Sequence, residues 1–250
     1  MKPTMTLAVV SDIHGNLPAL DAVIDDIASS GADLVVNLGD CLSGPLWPSE
    51  TADLLMALGW PTLAGNHERQ MLTAGTGDPA TSDGFALSRL RPDQKAWLAG
   101  LPGHIALAPD LLLCHGTPDS DTAYWLHRGR PGAMRKATVE EVAAFATSHR
   151  LALCGHTHVP RTVTLQNGRI VANPGSIGLP AYDDDGNDPD IAEAGGPRAR
   201  YLIAHRHAQG SWSIESRSVP YDFERAARQA ERNGRLSWAY VLRTGRIWTA

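Results

Sequence analysis

The chain of 250 residues holds few cysteines, only Cys41, Cys114 and Cys154, and no CxxC pair. An odd count of this kind argues against a disulfide framework and fits buried thiols in a reducing compartment. The sequence also has no run of lysines or arginines, and its formal charge is −5. That balance argues against a surface built for long nucleic acid. A small phosphorylated substrate is still compatible with it, because metal ions supply positive charge locally. No stretch approaches the ~18 apolar residues of a membrane span, so no membrane association is expected. The N-terminus offers one lysine and a short apolar run, Leu7–Val10, too little for a secretion signal. The expectation is a soluble, cytoplasmic protein.

What is present is ordinary in bulk, with 43% hydrophobic and 20% charged residues, but specific in pattern. Five short apolar runs each end in metal-ligand residues. Leu7–Ser11 precedes Asp12 and His14, and Leu34–Leu38 precedes Asp40. Pro61–Ala64 precedes Asn66, His67 and Glu68. Leu111–Cys114 precedes His115, and Leu151–Cys154 precedes His156 and His158. Strand ends at one edge of a sheet are where α/β proteins build their sites. Carboxylates, an amide oxygen and neutral imidazoles suit divalent ions. The donors are too many for one ion, which points to two.

The first half alternates strand and helix patterns. Strands are expected at Leu7–Ser11, Leu34–Leu38 and Pro61–Ala64. Helices are expected at Leu17–Ser29, stopped by Gly31, and at Ser49–Leu58, with Ser49 as N-cap and Gly59 as stop. This order predicts a parallel sheet with right-handed crossovers. Further along, Pro92–Ala99 and Thr138–Ser148 read as helices, the latter with Ala146 on its apolar face. His104–Ala108, Leu111–Cys114 and Leu151–Cys154 read as strands. The tail reads as strands Arg161–Leu165, Arg169–Ala172, Tyr201–His205 and Trp212–Arg217, with a hairpin turn at Gln166-Asn167-Gly168. A helix over Tyr221–Arg232 follows, within a helical tail covering 221–250. Asp183–Pro197 reads as an exposed, solvated loop inserted in a single domain spanning 1–250. Its Asp183, Asp184, Asp185 and Asn187 lack the downstream glutamate of a calcium loop.

The ordered set Asp12-x-His14, Gly39-Asp40, Gly65-Asn66-His67-Glu68, His115 and Gly155-His156-x-His158 resembles the calcineurin-like metallophosphoesterase superfamily. The run Ser11–Leu17, the turn Asn173-Pro174-Gly175-Ser176 and the ending near Tyr221–Gly234 resemble its small bacterial phosphodiesterase branch, often labelled YfcE-like. The resemblance implies an α/β fold, an αββα sandwich of two mixed β-sheets flanked by helices. It implies two divalent metal ions, with Mn favoured among Mn, Fe, Zn, Ni and Co. Asp12, His14, Asp40 and His158 are then expected on one ion, and Asp40, Asn66, His115 and His156 on the other, with Asp40 bridging. Physical chemistry agrees: clustered carboxylates need a cation, and ions ~3.5–4 Å apart can lower the pKa of a shared water to ~7, making a bridging hydroxide the nucleophile. His67 is expected beside the substrate, protonating the leaving oxygen or stabilising phosphoryl charge. Glu68 is expected to fix the His67 ring through a hydrogen bond.

The implied function is a dinuclear metal-dependent hydrolase of small soluble phosphoesters, foremost a phosphodiesterase on substrates that include nucleotides. Alternatives are a broad phosphomonoesterase, a non-catalytic protein-binding scaffold of the same fold and a DNA nuclease. Serine/threonine protein phosphatases of the superfamily carry arginines where this chain has Leu42 and Ala64, which argues against that activity. His104, His127, His149, His205 and His207 fall outside the motifs and read as ordinary surface or core residues. Glycines 15, 39, 65, 116 and 155 read as turn formers. Cys41 reads as a small apolar residue beside the site rather than a ligand. Trp47, Tyr124 and Trp125 read as packing residues, with base stacking as the alternative. Arg69 and Arg128 are candidate phosphate clamps without support from spacing.

Overall fold

The structure is a computed structural model describing residues 3–73, 77–130, 133–145, 147–183 and 191–248. The chain runs through β1 (Met5–Val10), α1 (Leu17–Ser30), β2 (Leu34–Asn37), α2 (Pro48–Leu58), α3 (Asn66–Thr73), α4 (Ser82–Arg89) and α5 (Pro92–Ala99). It continues through β3 (His104–Ala108), β4 (Leu111–Cys114), β5 (His127–Arg130), β6 (Ala133–Lys136), α6 (Val139–Ala143), β7 (Leu151–Leu153), β8 (Arg161–Thr164) and β9 (Ile170–Asn173). It ends with β10 (Ala181–Asp183), β11 (Ile191–Glu193), β12 (Ala199–Arg206), β13 (Trp212–Val219), α7 (Phe223–Arg232) and α8 (Leu236–Thr244).

Two mixed sheets face each other. One has the order β13-β12-β1-β2, the other β3-β4-β7-β9-β8. β1 is parallel to β2, and β4 to β7. Alternation along β1 shows how the layers form. Leu7 and Val9 pack into an apolar layer with Leu111 and Leu113 of β4, Leu151 and Leu153 of β7 and Leu202 of β12. Ala8 and Val10 point the other way, onto Leu20, Val23 and Ile27 of α1. A strand buried on both faces is written as an unbroken apolar run. On the far side of the second sheet, Leu112, Ala152 and Val171 pack against Val142 of α6 and Trp125. The result is the expected helix–sheet–sheet–helix sandwich.

Several expectations shift. Pro61–Ala64 is no strand; it makes a single bridge, Thr62 to Asn37. The bonds are Asn37 N–H to Pro61 O at 2.9 Å and Leu63 N–H to Asn37 O at 3.1 Å, after which the Ala64 N–H turns to Pro102 O. Pro61 has no N–H to extend a ladder. Antiparallel β12 and β13 then complete the first sheet, so it is mixed rather than wholly parallel. Ser49 is not a cap: Pro48 opens α2, and the Ser49 hydroxyl donates to Gln94 Oε1. The helix expected over Thr138–Ser148 is the short α6. Thr138 caps it in a capping box with Glu141; Ala146 lies outside the described residues. Part of the acidic segment is ordered, since β10 and β11 pair antiparallel. Asp184, Asp185 and Asn187 lie outside the described residues. Among the described residues no helix is long and apolar enough to cross a membrane.

Candidate active site

The residues after β1, β2, β4 and β7 converge because both parallel pairs end on the same side. Loop backbones then hold one another: Asp12 N–H donates to Gly39 O, His14 N–H to Asp40 O, and Gly155 N–H to His115 O. Ser176 Oγ donates to Asp12 O at 2.7 Å, so the Asn173–Ser176 turn braces the first of these loops.

Five non-glycine residues among those described have positive φ: Asp12 (55°), His14 (50°), Asp40 (54°), His156 (68°) and His158 (55°). An L-residue there costs about 1–2 kcal/mol. All five are donor residues named from the sequence. The strain turns each side chain toward a shared centre and concentrates where function requires it. Their ligand atoms form two groups, Asp12 with His14 and His158, and Asp40 with His115 and His156; within each group the atoms lie within 4.8 Å of one another, and all six residues are buried or nearly so.

Tautomers follow from the hydrogen bonds. A carbonyl only accepts, so His14 Nδ1 (2.8 Å from Ser43 O), His158 Nδ1 (2.7 Å from Leu179 O) and His115 Nδ1 (2.7 Å from Leu38 O) each carry a proton. In the neutral rings each Nε2 therefore holds a lone pair. His14 Nε2 and His158 Nε2 face each other at 3.1 Å. His158 Nε2 lies 3.3 Å from Asp12 Oδ1, and neither Asp12 oxygen has a hydrogen-bond partner of acceptable geometry. In the second group His115 Nε2 lies 3.1 Å from Asn66 Oδ1 and 3.0 Å from Asp40 Oδ2. His156 is reversed: its Nε2 donates to Thr122 O at 2.9 Å, leaving Nδ1 as the donor atom for a metal. Buried acceptors that converge with nothing to accept from are stable only around a cation. The N/O set fits divalent first-row metals.

The ionisation pattern agrees for two imidazoles. Burial, and then the charge of His158, lowers His14 to about 3; burial and His115 lower His156 to about 4. Burial also lowers His115, but Asp40 outweighs it and brings the ring up to about 10. Burial raises Asp40, yet the neighbouring His115 holds it well below the usual carboxylate range.

His67 stands beside these groups, its ring 5.4 Å from that of His14. Its partner is not Glu68. His67 Nδ1 lies 2.8 Å from Asp83 Oδ1, on α4. Glu68 is fully buried and its carboxylate accepts three backbone N–H groups, those of Asp40, Cys41 and Gly65, each at 2.8 Å. It holds the Asp40 loop rather than the His67 ring. The glycines here do more than turn. A Cβ on Gly65 would fall 2.2 Å from Asp40 Oδ1, and one on Gly155 would fall 2.1 Å from Ser11 Oγ.

Other candidates resolve as packing. Cys41 is buried in the core and its Sγ accepts from Asn37 Nδ2. Trp47 packs under α7 with Arg225 over its ring. Trp125 is buried and donates to Val142 O. Arg128 donates to the carbonyls of Tyr124, Trp125, His127 and Glu141, and Arg69 forms a bidentate pair with Asp121. Neither arginine is a phosphate clamp in this arrangement. Asp83 escaped the sequence reading because it lies in no motif and pairs across a loop.

This sandwich, with paired donor clusters at its strand ends, is the architecture of a metal-dependent phosphoesterase. Residues 5–187 match the calcineurin-like phosphoesterase superfamily domain, and the chain belongs to that superfamily. Membership implies phosphoester hydrolysis. The chain is similar to an uncharacterized protein of Methanocaldococcus jannaschii, with 25% identity over 93% of this chain and 94% of the relative. Its fold is like that of a metallophosphoesterase from Sphaerobacter thermophilus, with a TM-score of 0.70 at 23% identity, covering 94% of this chain and 99% of the other.

Proposed function

We propose that the protein is a dinuclear, metal-dependent hydrolase of small phosphodiesters, with phosphomonoesters as a second substrate class. The observation that carries this reading is the convergence of two adjoining groups of buried imidazole and carboxylate donors, with both Asp12 oxygens unsatisfied between them. Asp12, His14 and His158 would hold one ion. Asn66, His115 and His156 would hold the other, and Asp40 would serve both. Bound divalent ions supply charge to the phosphoryl oxygens and make water nucleophilic near neutral pH. Manganese is the favoured ion; the donor set also accepts Fe, Zn, Ni and Co.

The chain's own groups do the remaining work. Asp83 fixes the His67 ring at Nδ1, which leaves Nε2 to give a proton to the departing oxygen or a hydrogen bond to the phosphoryl group. Glu68 keeps the Asp40 backbone in its strained turn. Leu42 is buried in the core, so no arginine clamp of the protein-phosphatase kind exists there. Three unpaired, buried cysteines support a cytoplasmic setting.

The test is turnover of bis-p-nitrophenyl phosphate with and without Mn²⁺, with metal content measured on the same sample. Metal-stimulated hydrolysis is expected. His67→Ala is expected to slow it by ~10²–10⁴ while keeping both ions. Absence of metal-stimulated turnover would leave the scaffold reading in its place.

A further inference from the structure

A cavity of about 1050 Å³ opens over both donor groups. The chain's carboxyl-terminal part builds one of its walls. Trp238 and Val241 of α8, together with Ile247 and Trp248, line it, and Tyr182 packs in the same cluster as Trp238, Val241 and Ile247. Trp238 presents its ring 6.2 Å from that of His14 at an interplanar angle of 67°, and Tyr182 sits 4.6 Å from His158 at 64°. The α8 wall lies outside residues 5–187, the part that matches the superfamily domain. No lysine or arginine lines the cavity among the described residues, whereas Asp78, Asp83 and Asp183 do.

These features select by charge and shape. Bound ions would meet one phosphoryl group. Any further anion on the ester arm would find carboxylates and aromatic faces and no lysine or arginine, since His67, paired with Asp83, is taken up by the phosphoryl group that the ions hold. Resting on the phosphoesterase reading above, we infer that Trp238 and the α8 wall form a specificity subsite for a planar, uncharged ester arm. The substrate class is then a phosphoester with a single phosphoryl group and an aromatic or nucleoside substituent, and polyphosphorylated compounds are disfavoured. Stacking on an indole is worth roughly a tenfold change in affinity.

Calorimetric binding of three phosphonates to the Mn²⁺-loaded protein tests this without turnover. Phenylphosphonate is expected to bind about tenfold tighter than methylphosphonate, and 4-carboxyphenylphosphonate to fall back toward methyl. Trp238→Ala is expected to erase the phenyl advantage and leave methylphosphonate affinity unchanged. Trp238→Phe, which keeps a ring in the wall, is expected to retain most of it, and it serves as the test if the alanine variant does not fold. The inference is overturned if phenyl and methyl bind alike, if neither binds, if the carboxylated arm binds as tightly as phenyl, or if Trp238→Ala keeps the preference. A phenyl preference in a protein without esterase turnover would instead overturn the proposed function and leave the subsite standing.

Discussion

Gly65→Ala isolates the geometry on which the metal reading depends. Gly65 does not sit in the left-handed region, so alanine is allowed there by its backbone. The added Cβ would nevertheless lie 2.2 Å from Asp40 Oδ1, 2.8 Å from Asp40 Cγ and 2.8 Å from the Asp40 amide nitrogen. Asp40 must move, and with it the bond its Oδ1 accepts from the His67 N–H at 3.1 Å. Overpacking of this kind costs about 1–3 kcal/mol. Loss of glycine entropy from the unfolded chain returns about 0.4–1 kcal/mol. The net is a loss of about 0–2.6 kcal/mol, a fall in melting temperature of roughly 10 °C at most for a chain of this length. The effect on metal is larger, because in the proposed function the displaced group would serve both ions; at least a ~10–100-fold weakening is expected.

Gly59→Ala is the control. Its φ is 61°, with open space around the new Cβ. It pays backbone strain of about 1–2 kcal/mol far from any donor. Mn²⁺ titration and thermal melts on both variants should separate the effects. Gly65→Ala should lose metal with a modest melting change, and Gly59→Ala should show a similar melting change with full metal binding. Unchanged metal affinity in a folded Gly65→Ala protein would refute the placement of Asp40 at the centre of the site.

Three further outcomes are expected. Chelation should lower the melting temperature by roughly 5–10 °C per ion, because a ligand at 100 times its Kd stabilises by about 2.7 kcal/mol; an unchanged melt with the ions gone would contradict the unsatisfied-acceptor argument. Asp83→Asn keeps an acceptor for His67 but removes the charge, so turnover should fall roughly tenfold, part of the ~10²–10⁴ a positioned acid supplies, with two ions still bound; wild-type rates would show that Asp83 does not position His67. Arg128→Ala should leave KM unchanged while lowering stability by about 1–3 kcal/mol, since it orphans carbonyls rather than freeing a phosphate site; a raised KM for phosphoesters would restore the clamp reading.

Much of the donor set was legible because each ligand follows the apolar run that positions it. Asp12 and His14 travel with β1, and His156 and His158 with β7, so chemistry and placement share a few residues of chain. The long helices were equally plain in their periodicity and their stops, as with Gly31 closing α1, whereas their N-terminal caps were not: Asn16 caps α1, and Ser49 does not cap α2. The short helices α3 and α4 were not read: α3 starts inside the Asn66–Glu68 motif, and α4 lacks the opening proline that marks the equally short α5. The Pro61–Ala64 run looked like its neighbours, but one proline reduced it to a bridge.

By itself, then, the amino-acid order determined where the candidate donors fall, because each follows its own apolar run along the chain, and the layered class followed from the resemblance those donors carry. Only the folded arrangement decided which partner each group has. Glu68 turned to three backbone amides instead of the adjacent imidazole, Asp83 took that imidazole across a loop, and Trp238 came from the far end of the chain to wall the cleft. Such pairings depend on distances through space between distant residues, which periodicity and local motifs do not encode.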